Sequence, residues 1–273
     1  MTFSVNGIFT AEFTYEGKGV HDFWAPSVIE IDGTYYLYCS FEFFDDEPDQ
    51  GGHHQAMHVS SSKSPLGPFE NAKQLLHPFS IDSHVVKNEN GLFIFYSTNT
   101  FEGERPGTYI VCDRLLTPEK AEGKPVTMLT PTLDEDIYMR DRYKKGENWH
   151  TIEGAFYFKE GDWQYLMYSG NCYLQPTYYI GYARAKTDET DLTKIKFEKY
   201  PDENTYHPVM KANEFEEGTG HHSMIKYKGQ WYAIYHARDI EDDGLAGDRR
   251  NARICKLHVN DGIITAETYK DHI

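Results

Sequence analysis

The segment Asp32-Gly33-Thr34-Tyr35-Tyr36-Leu37-Tyr38 joins a turn dipeptide to a run of aromatic residues, and a similar phrase recurs three more times along the chain. Asp-Gly and related pairs favour tight turns and aromatic residues favour strands, so each copy predicts an antiparallel hairpin. Regular recurrence of such a unit is typical of repeat architectures. The later copies are Gly91-Leu92-Phe93-Ile94-Phe95-Tyr96, Gly161-Asp162-Trp163-Gln164-Tyr165-Leu166-Met167-Tyr168 and Gly229-Gln230-Trp231-Tyr232-Ala233-Ile234-Tyr235.

Apolar runs flank each copy on both sides, which extends each repeat to at least three strands. The predicted hairpin turns are Asp32-Gly33, Asn90-Gly91, Glu160-Gly161 and Lys228-Gly229. Three or four antiparallel strands that recur every ~55–70 residues are the signature of β-propeller blades. No long apolar period of 3.6 residues is present, so we expect helices to be few and short. We therefore predict an all-β fold, with a single β-propeller domain over residues 1–273 in which four blades are readable.

Composition and charge restrict the classes of partner. The chain has 273 residues, and its 27 basic and 43 acidic side chains give a formal charge of −16. This charge repels phosphate backbones and anionic lipid surfaces, so we expect no nucleic-acid partner and no membrane partner. The first residues lack a basic segment followed by an apolar one, which favours a cytoplasmic protein. The cysteines lie far apart and predict buried free thiols without a disulfide framework: Cys39, Cys112, Cys172 and Cys255.

Polar residues stand where the first strand of each repeat begins, in an otherwise apolar register. They are Asp22, Asp82, Glu153 and His221, and the repeats suggest that their positions are equivalent. The first strand of a propeller blade lies at the central axis, so we expect these side chains to share one cavity. Carboxylates around such a cavity suit general acid/base chemistry on a glycosidic bond, because one acid can stay protonated while another is ionised.

Seven fragments carry a resemblance that covers most of the chain. In this order, they resemble the motifs of glycoside hydrolase family 43, whose members are five-bladed β-propellers. The resemblance implies an inverting enzyme of the β-xylosidase, α-L-arabinofuranosidase or arabinanase type. The fragments are Phe23-Trp24-Ala25-Pro26-Ser27-Val28, Tyr35-Tyr36-Leu37-Tyr38, Ser64-Pro65-Leu66-Gly67-Pro68-Phe69, Ser80-Ile81-Asp82, Ile152-Glu153-Gly154, Gly220-His221-His222-Ser223 and Tyr235-His236-Ala237-Arg238.

The resemblance also implies roles for individual residues. Glu153 resembles the general acid, and Asp82 resembles the aspartate that raises the pKa of that acid and orients it. His221 resembles the axial histidine that contacts a central water or calcium ion. Arg249 or Arg250 lies in the region where the family places an arginine in its last blade. No cofactor is required by this interpretation, and a structural calcium ion is an option.

The general base is where the sequence departs from the family pattern. A His-Asp-Pro-like motif opens the first blade of the family and Trp-Ala-Pro opens the second, whereas here His21-Asp22 runs directly into Trp24-Ala25-Pro26. Only about 20 residues precede this point, which is too few for a blade. Either Asp22 is the base in a merged first blade, or the base comes from elsewhere, or hydrolysis is lost and a sugar-binding cavity remains. We favour Asp22.

Two aromatic or histidine-rich features allow more than one interpretation. Trp24 either packs in the core or stacks an exposed indole face on a sugar ring. His53, His54 and His58 lie close in sequence, but no Cys or carboxylate spacing accompanies them, which favours a polar loop over a zinc site.

The expected function is inverting, exo-acting hydrolysis of short pentose-containing oligosaccharides, with Glu153 as acid, Asp82 as modulator and Asp22 as base. A small oligosaccharide is the expected partner, and homo-oligomerisation through an unpaired blade edge is a further option. A degenerate sugar-binding propeller is the alternative from another class. A retaining β-fructosidase-type enzyme is a weaker alternative, since the motifs of those families are not found in this sequence.

Overall fold

The structure is a computed structural model that describes residues 21–42, 47–240 and 249–267, with the backbone alone at His21 and in two short strands before it. The chain divides into two compact units, and each is considered by itself. The first unit comprises Met1–Asn99, Val111–Thr127 and Thr190–Thr193, and the second comprises Thr100–Ile110, Met128–Glu189 and Lys194–Ile273.

The first unit is built on two antiparallel sheets and a short hairpin. The hairpin pairs β1 with β2, one sheet has the order β3-β4-β5-β6, and the other has the order β7-β8-β9 with β10 and β11 both paired to β9. Strand β9 begins in the second unit and continues into the first. The bounds are β1 Thr2–Val5, β2 Phe9–Glu12, β3 His21–Ile31, β4 Thr34–Glu42, β5 Gln55–Ser62, β6 Glu70–Gln74, β7 Ile81–Asn88, β8 Gly91–Thr100, β9 Gly107–Thr117, β10 Lys120–Ala121 and β11 Val126–Leu129.

The second unit also contains two antiparallel sheets. One has the order β13-β14-β15-β16, with β12 paired to β13, and the first residues of β9 run parallel to β13. The other sheet has the order β17-β18-β19-β20. The bounds are β12 Ile137–Met139, β13 Trp149–Glu160, β14 Trp163–Gly170, β15 Tyr179–Lys186, β16 Glu198–Lys199, β17 Glu216–Tyr227, β18 Gln230–Asp239, β19 Asn251–Asn260 and β20 Ile263–Ala266.

Helical structure in the described residues is limited to two single-turn 3-10 helices, Asp134–Asp136 and Leu192–Lys194. This confirms the expectation of few and short helices. Neither has the length or the apolar character needed to cross a bilayer, and no other described segment is helical.

The four predicted hairpins are all present, and two of the four turns differ from the prediction by one residue. Asn88 pairs with Gly91 and Glu160 pairs with Trp163, so these turns are Glu89-Asn90 and Gly161-Asp162. In the second repeat the turn comes one residue earlier than predicted, and the Asn88 side chain accepts the Asn90 amide across it at 2.8 Å. In the third repeat the turn comes one residue later than predicted, because β13 stays paired through Glu160, and Gly161 takes a left-handed turn position with φ 59°.

Each unit has its own aromatic-rich core. In the first unit Tyr38, Met57 and Ile94 lie at the centre of the apolar cluster, and all are fully shielded from solvent. In the second unit Tyr165, Met167 and Ile180 have the same role. The four cysteines are buried free thiols, which confirms the prediction. Burial raises the pKa of the Cys39 and Cys255 thiols to about 12, so they are inert packing groups at neutral pH.

One sheet face of the second unit carries several exposed apolar residues beside polar ones. Alternate residues of β17 to β20 point outward and are 43% to 57% exposed. Most antiparallel sheets place polar residues on such a face. The predicted homo-oligomer stays a prediction, and this face is where the described residues offer apolar area for it. The residues are Ile225, Tyr227, Ile234, Ile254 and Ile263.

A buried histidine in the first unit makes stability sensitive to acid. The His58 ring stacks on Phe41 at 3.7 Å between centroids, its Nδ1 donates to the Ala56 carbonyl at 2.8 Å, and burial lowers its pKa to about 4. The folded protein therefore holds His58 neutral while the unfolded chain takes up a proton below about pH 6.5. Because of this difference, we expect the free energy of unfolding to fall by on the order of 3 kcal/mol as the pH falls from 6.5 to 4.

Urea unfolding at pH 7 and pH 4.5 measures this effect. His58→Asn keeps a donor for the Ala56 carbonyl but does not titrate, so its stability should fall less over this interval than that of the wild type. The same substitution at the exposed His77 controls for the exchange of an imidazole for an amide, and His77→Asn should lose as much stability over this interval as the wild type. Equal losses in wild type and His58→Asn would contradict the prediction.

Candidate active site

The first strand of every four-stranded repeat is interrupted at the same place. Five consecutive residue pairs run back from the hairpin turn, and the ladder then breaks in register. A residue with left-handed backbone, φ between 43° and 63°, lies in each break. Such bulges redirect side chains, and left-handed non-glycine residues concentrate at functional sites. The four equivalent residues are Ala25, Asp82, Gly154 and His221.

This register corrects one of the sequence expectations. Asp82 and His221 are equivalent, and Glu153 directly precedes the equivalent Gly154. Asp22 is not equivalent to them, because Ala25 occupies that position in β3. Asp22 lies in an additional break three residues earlier, also with left-handed backbone (φ 51°). The sequence could not show this, since the spacing from strand start to turn depends on which residues leave the ladder.

The first unit holds three of the predicted site residues. Asp82 is buried, and the Ser97 hydroxyl lies 3.4 Å from its Oδ2. Asp22 is exposed. Trp24 is 38% exposed, which argues against a core role and leaves an indole face open to a ligand. Its carbonyl accepts the Cys39 thiol at 3.3 Å, so the strand is fixed at this point.

The second unit brings Glu153 and His221 together. The hydroxyl of Tyr178, a residue at the end of the loop between β14 and β15, donates to Glu153 Oε1 at 2.7 Å. The His221 ring lies over the backbone of Gly154, 3.6 Å from where a Cβ atom would stand. The Tyr178 ring also stacks on His236 of β18, at 5.6 Å and 10°. Glu153 is therefore held by Tyr178, a residue of its own unit.

A glycine in β17 makes room for this tyrosine. A Cβ atom on Gly220 would overlap the Tyr178 ring well inside van der Waals contact. The Tyr178 ring is fully buried, and its carbonyl accepts the Thr219 hydroxyl at 3.3 Å. The His221 amide donates to the Ser169 hydroxyl at 2.8 Å, so β17 is also fixed on its other side. Gly220, directly before His221, thus reflects close packing against Tyr178.

Two arginines shape the loop that leads to Tyr178. Arg238 Nη1 donates to the Tyr173 carbonyl at 2.9 Å and Nη2 donates to the Leu174 carbonyl at 3.1 Å, while its guanidinium pairs with Glu217 at 3.5 Å. Arg250 lies over the Tyr173 ring at 4.5 Å. This loop therefore presents an aromatic ring backed by a cation, and Leu174 beside it is exposed.

Both histidines of this cluster are neutral near pH 7. Burial lowers the pKa of His221, Glu153 partly opposes this shift, and Arg250 adds to it. Burial lowers the pKa of His236 to about 3, with Arg250, His221 and Arg238 adding to the shift. Of the two arginines predicted near the site, Arg250 acts on both imidazoles. The carbonyl of Arg249 accepts the Asn251 side chain at 3.3 Å.

A calcium ion at His221 stays a prediction. The described residues bring no group of three or more His, Cys, Asp or Glu side chains together, and calcium prefers six to eight oxygen ligands. His221 offers a single imidazole, and the Arg250 guanidinium adds positive charge beside it. The residues described around His221 therefore do not fit a calcium site built by side chains.

The sequence matches the family model for glycosyl hydrolases family 43 over residues 5–264. This chain belongs to glycosyl hydrolase family 43. Membership confirms the predicted family and makes the protein an O-glycosidase. No curated protein sequence matches the chain.

Solved structures support the fold of this family-43 enzyme. A thermostable family-43 glycoside hydrolase has 27% identity and a TM-score of 0.70, with 91% of this chain and 75% of that chain covered. An endo-1,4-beta-xylanase from Bacteroides thetaiotaomicron has 20% identity, a TM-score of 0.67 and coverages of 95% and 78%. An alpha-L-arabinofuranosidase from Lactobacillus brevis has 20% identity, a TM-score of 0.71 and coverages of 89% and 74%. These matches confirm the predicted all-β propeller class.

Three residues of the second unit escaped the sequence analysis: Tyr178, Arg238 and Tyr173. In the sequence, Tyr178 begins one of the apolar runs that flank the repeats and Arg238 ends one of the motif fragments, but neither position indicates a role at the site. A signal was present in Gly218-Thr219-Gly220, because two glycines beside a candidate residue indicate close approach by another group. Gly218 has φ 60°, and a Cβ atom there would lie 2.7 Å from the Arg238 guanidinium.

Proposed function

We propose that this family-43 enzyme hydrolyses pentose-containing oligosaccharides with inversion, and that Glu153 is its general acid. The observation that carries the proposal is the placement of Glu153 beside a left-handed break in β13, with its carboxyl held by Tyr178 and faced by neutral His221. A carboxyl in such company is positioned by the protein and partly shielded from water.

The proposed reaction is a single displacement. Glu153 gives its proton to the glycosidic oxygen as the bond between that oxygen and the anomeric carbon breaks, and the bond's electron pair stays on the leaving oxygen. A water attacks the opposite face of the anomeric carbon and loses its proton to the base. Asp22 is the candidate base, and Asp82 is the candidate modulator of the acid. In an inverting site the acid and base carboxyls lie about 6.5–9.5 Å apart.

Pentose specificity is supported by the descriptions of similar structures, and sugar binding is supported by an aromatic side chain in each unit. Similar structures include enzymes described as a xylanase, a xylosidase and an arabinofuranosidase. The Tyr173 ring, with Arg250 over it, is an aromatic surface of the kind that stacks on sugar rings, and Trp24 offers an exposed indole face in the first unit.

A substrate screen read by NMR tests the proposal. Nitrophenyl β-xylosides and α-L-arabinofuranosides, followed by the matching unsubstituted oligosaccharides, should be hydrolysed with the opposite anomer appearing first. Release of single sugars from one end would support exo action, and a mixture of oligomers would support endo action. The retained anomer would favour the β-fructosidase-type mechanism instead. Binding of pentose oligosaccharides without any hydrolysis would favour the sugar-binding alternative.

Asp22→Asn tests the candidate base. If Asp22 activates the water, this variant should lose roughly 10²–10⁴-fold in kcat even on substrates with nitrophenolate leaving groups, because such substrates still need an activated water. Trp24→Ala, at a residue two positions away, should instead act mainly on KM if the indole only stacks on the sugar. Wild-type kcat in Asp22→Asn would show that the base comes from elsewhere in the chain.

A further inference from the structure

Tyr178 has a fixed relation to Glu153 that a packing role does not require. Its ring is fully buried, with His236 stacked on it and Gly220 closely packed against it. Neither the ring nor its hydroxyl can swing away without displacing β17 or β18. The hydroxyl therefore presents its proton to one oxygen of Glu153, Oε1, at 2.7 Å.

The two oxygens of a protonated carboxyl group are chemically different. One carries the proton and donates, and the other is a carbonyl oxygen and the better acceptor. A phenol fixed as donor to Oε1 therefore makes Oε1 the carbonyl oxygen and leaves the proton on Oε2. After the proton has left, the same phenol donates to a carboxylate, and such charge-assisted hydrogen bonds are about twice as strong as neutral ones.

We infer that Tyr178 is a positioning residue for the general acid, which rests on the proposed role of Glu153. It selects Glu153 Oε2 as the oxygen that carries the transferable proton, and it stabilises the carboxylate that remains after transfer. In the step, the Oε2–H bond breaks and a bond from that proton to the glycosidic oxygen forms. The negative charge stays on the carboxylate, and Tyr178 keeps its own proton throughout.

The other groups that act on this carboxyl favour the same arrangement. His221 from β17 is neutral, and its pKa is lowered by burial and by Arg250. Burial also raises the pKa of the Cys172 thiol, so this nearby group carries no charge at neutral pH. Tyr178 is thus the donor that the structure places on Glu153. His221, His236 and Cys172 are uncharged at neutral pH, and the flanking charges are those of Arg250 and of the Arg238–Glu217 ion pair. The titratable and charged groups around the site are Tyr138, Cys172, His221, His236, Arg238 and Arg250.

Tyr178→Phe is the direct test, because it removes the hydroxyl and keeps the ring. The ionised form of Glu153 loses a donor, so its pKa should rise and the alkaline limb of the kcat/KM profile should move up by about one pH unit. At the pH optimum kcat should fall by roughly 10-fold to 100-fold on substrates with alkoxide leaving groups. The fall should be much smaller for a dinitrophenyl glycoside, which needs little protonation.

The matched control is Tyr235→Phe. The Tyr235 hydroxyl also donates to a buried carboxylate, Glu216 Oε1, at 2.9 Å, in the core of the same unit. The Tyr235→Phe variant should be less stable than the wild type, while the alkaline limb of its kcat/KM profile stays at the wild-type pH. The inference is overturned if Tyr178→Phe keeps the wild-type limb and leaving-group dependence, or if Tyr235→Phe moves the limb equally. Full activity in Glu153→Gln would instead overturn the proposed function itself.

Discussion

Glu153→Gln should lower kcat by roughly 10²–10⁴-fold on substrates with alkoxide leaving groups. The amide has nearly the same shape as the carboxyl group and its oxygen can still accept from Tyr178, so the pocket and KM should change little. It has no proton acidic enough to transfer to the leaving oxygen. The dinitrophenolate group of a dinitrophenyl glycoside leaves without being protonated, so the variant should hydrolyse this substrate far better than alkoxide substrates. A plot of log kcat against the pKa of the leaving group should therefore be steeper for the variant than for the wild type.

Glu160→Gln is the control for this experiment. Glu160 is the last residue of β13, at the end of the strand away from Glu153, where its carboxylate accepts from Lys226 and from the Trp231 indole. The same chemical change on the same strand should therefore leave kcat at the wild-type value. Near wild-type activity of Glu153→Gln on alkoxide substrates would remove Glu153 from the role of general acid.

Gly220→Ala should be the most destabilising small substitution near the site. The added methyl group would overlap the buried Tyr178 ring, which is already held against His236. Overpacking usually lowers the free energy of unfolding by about 1–3 kcal/mol. Because the groups around Gly220 are rigid, we expect a loss at or above the upper end of this range. Because Tyr178 must shift to admit the methyl group, the variant should also lose activity on alkoxide substrates. Urea unfolding and kcat measure the two effects on the same preparation.

Gly229→Ala provides the comparison. Gly229 lies in the turn between β17 and β18 with φ 81°, and a Cβ atom there meets nothing within 4 Å. Only the left-handed backbone is disfavoured, which costs roughly 1–2 kcal/mol for a residue with a Cβ atom. Activity should be retained. If Gly220→Ala were no less stable than Gly229→Ala, the close approach of Tyr178 to β17 would not hold in solution.

The fold was largely accessible from the sequence because its signals are local. A turn pair followed by aromatic residues defines each hairpin, and four copies of the pattern lead to a propeller. The errors in the turns at Asn90 and Glu160 arose because the sequence does not show how far a ladder extends before the chain reverses. The side-chain alternation was also too weak to reveal the breaks in β3, β7, β13 and β17.

The candidate site was only partly accessible, since its contacts join residues distant in sequence. Glu153 and His221 could be found from motifs, and the structure places them together within one unit. Tyr178 and Arg238 act through geometry that no local pattern encodes, although the glycines at 218 and 220 indicate crowding. Asp22 was selected as a polar residue at the start of a repeat and by the His21-Asp22 pair, and the register shows that Ala25, not Asp22, is equivalent to Asp82 and His221.

The repeated break has a consequence for how this scaffold can be altered. In each first strand, five paired residues lie between the left-handed residue and the turn, so the sheet is secured independently of whichever side chain occupies the break. The left-handed position holds Asp82 in β7, Gly154 next to Glu153 in β13, and His221 in β17. In β3 the same position holds Ala25, with φ 43°. The left-handed backbone is unfavourable for alanine, and the methyl side chain provides no functional group in return. Ala25 is thus a position where Asp or Asn could be introduced, because these residues tolerate the same left-handed backbone.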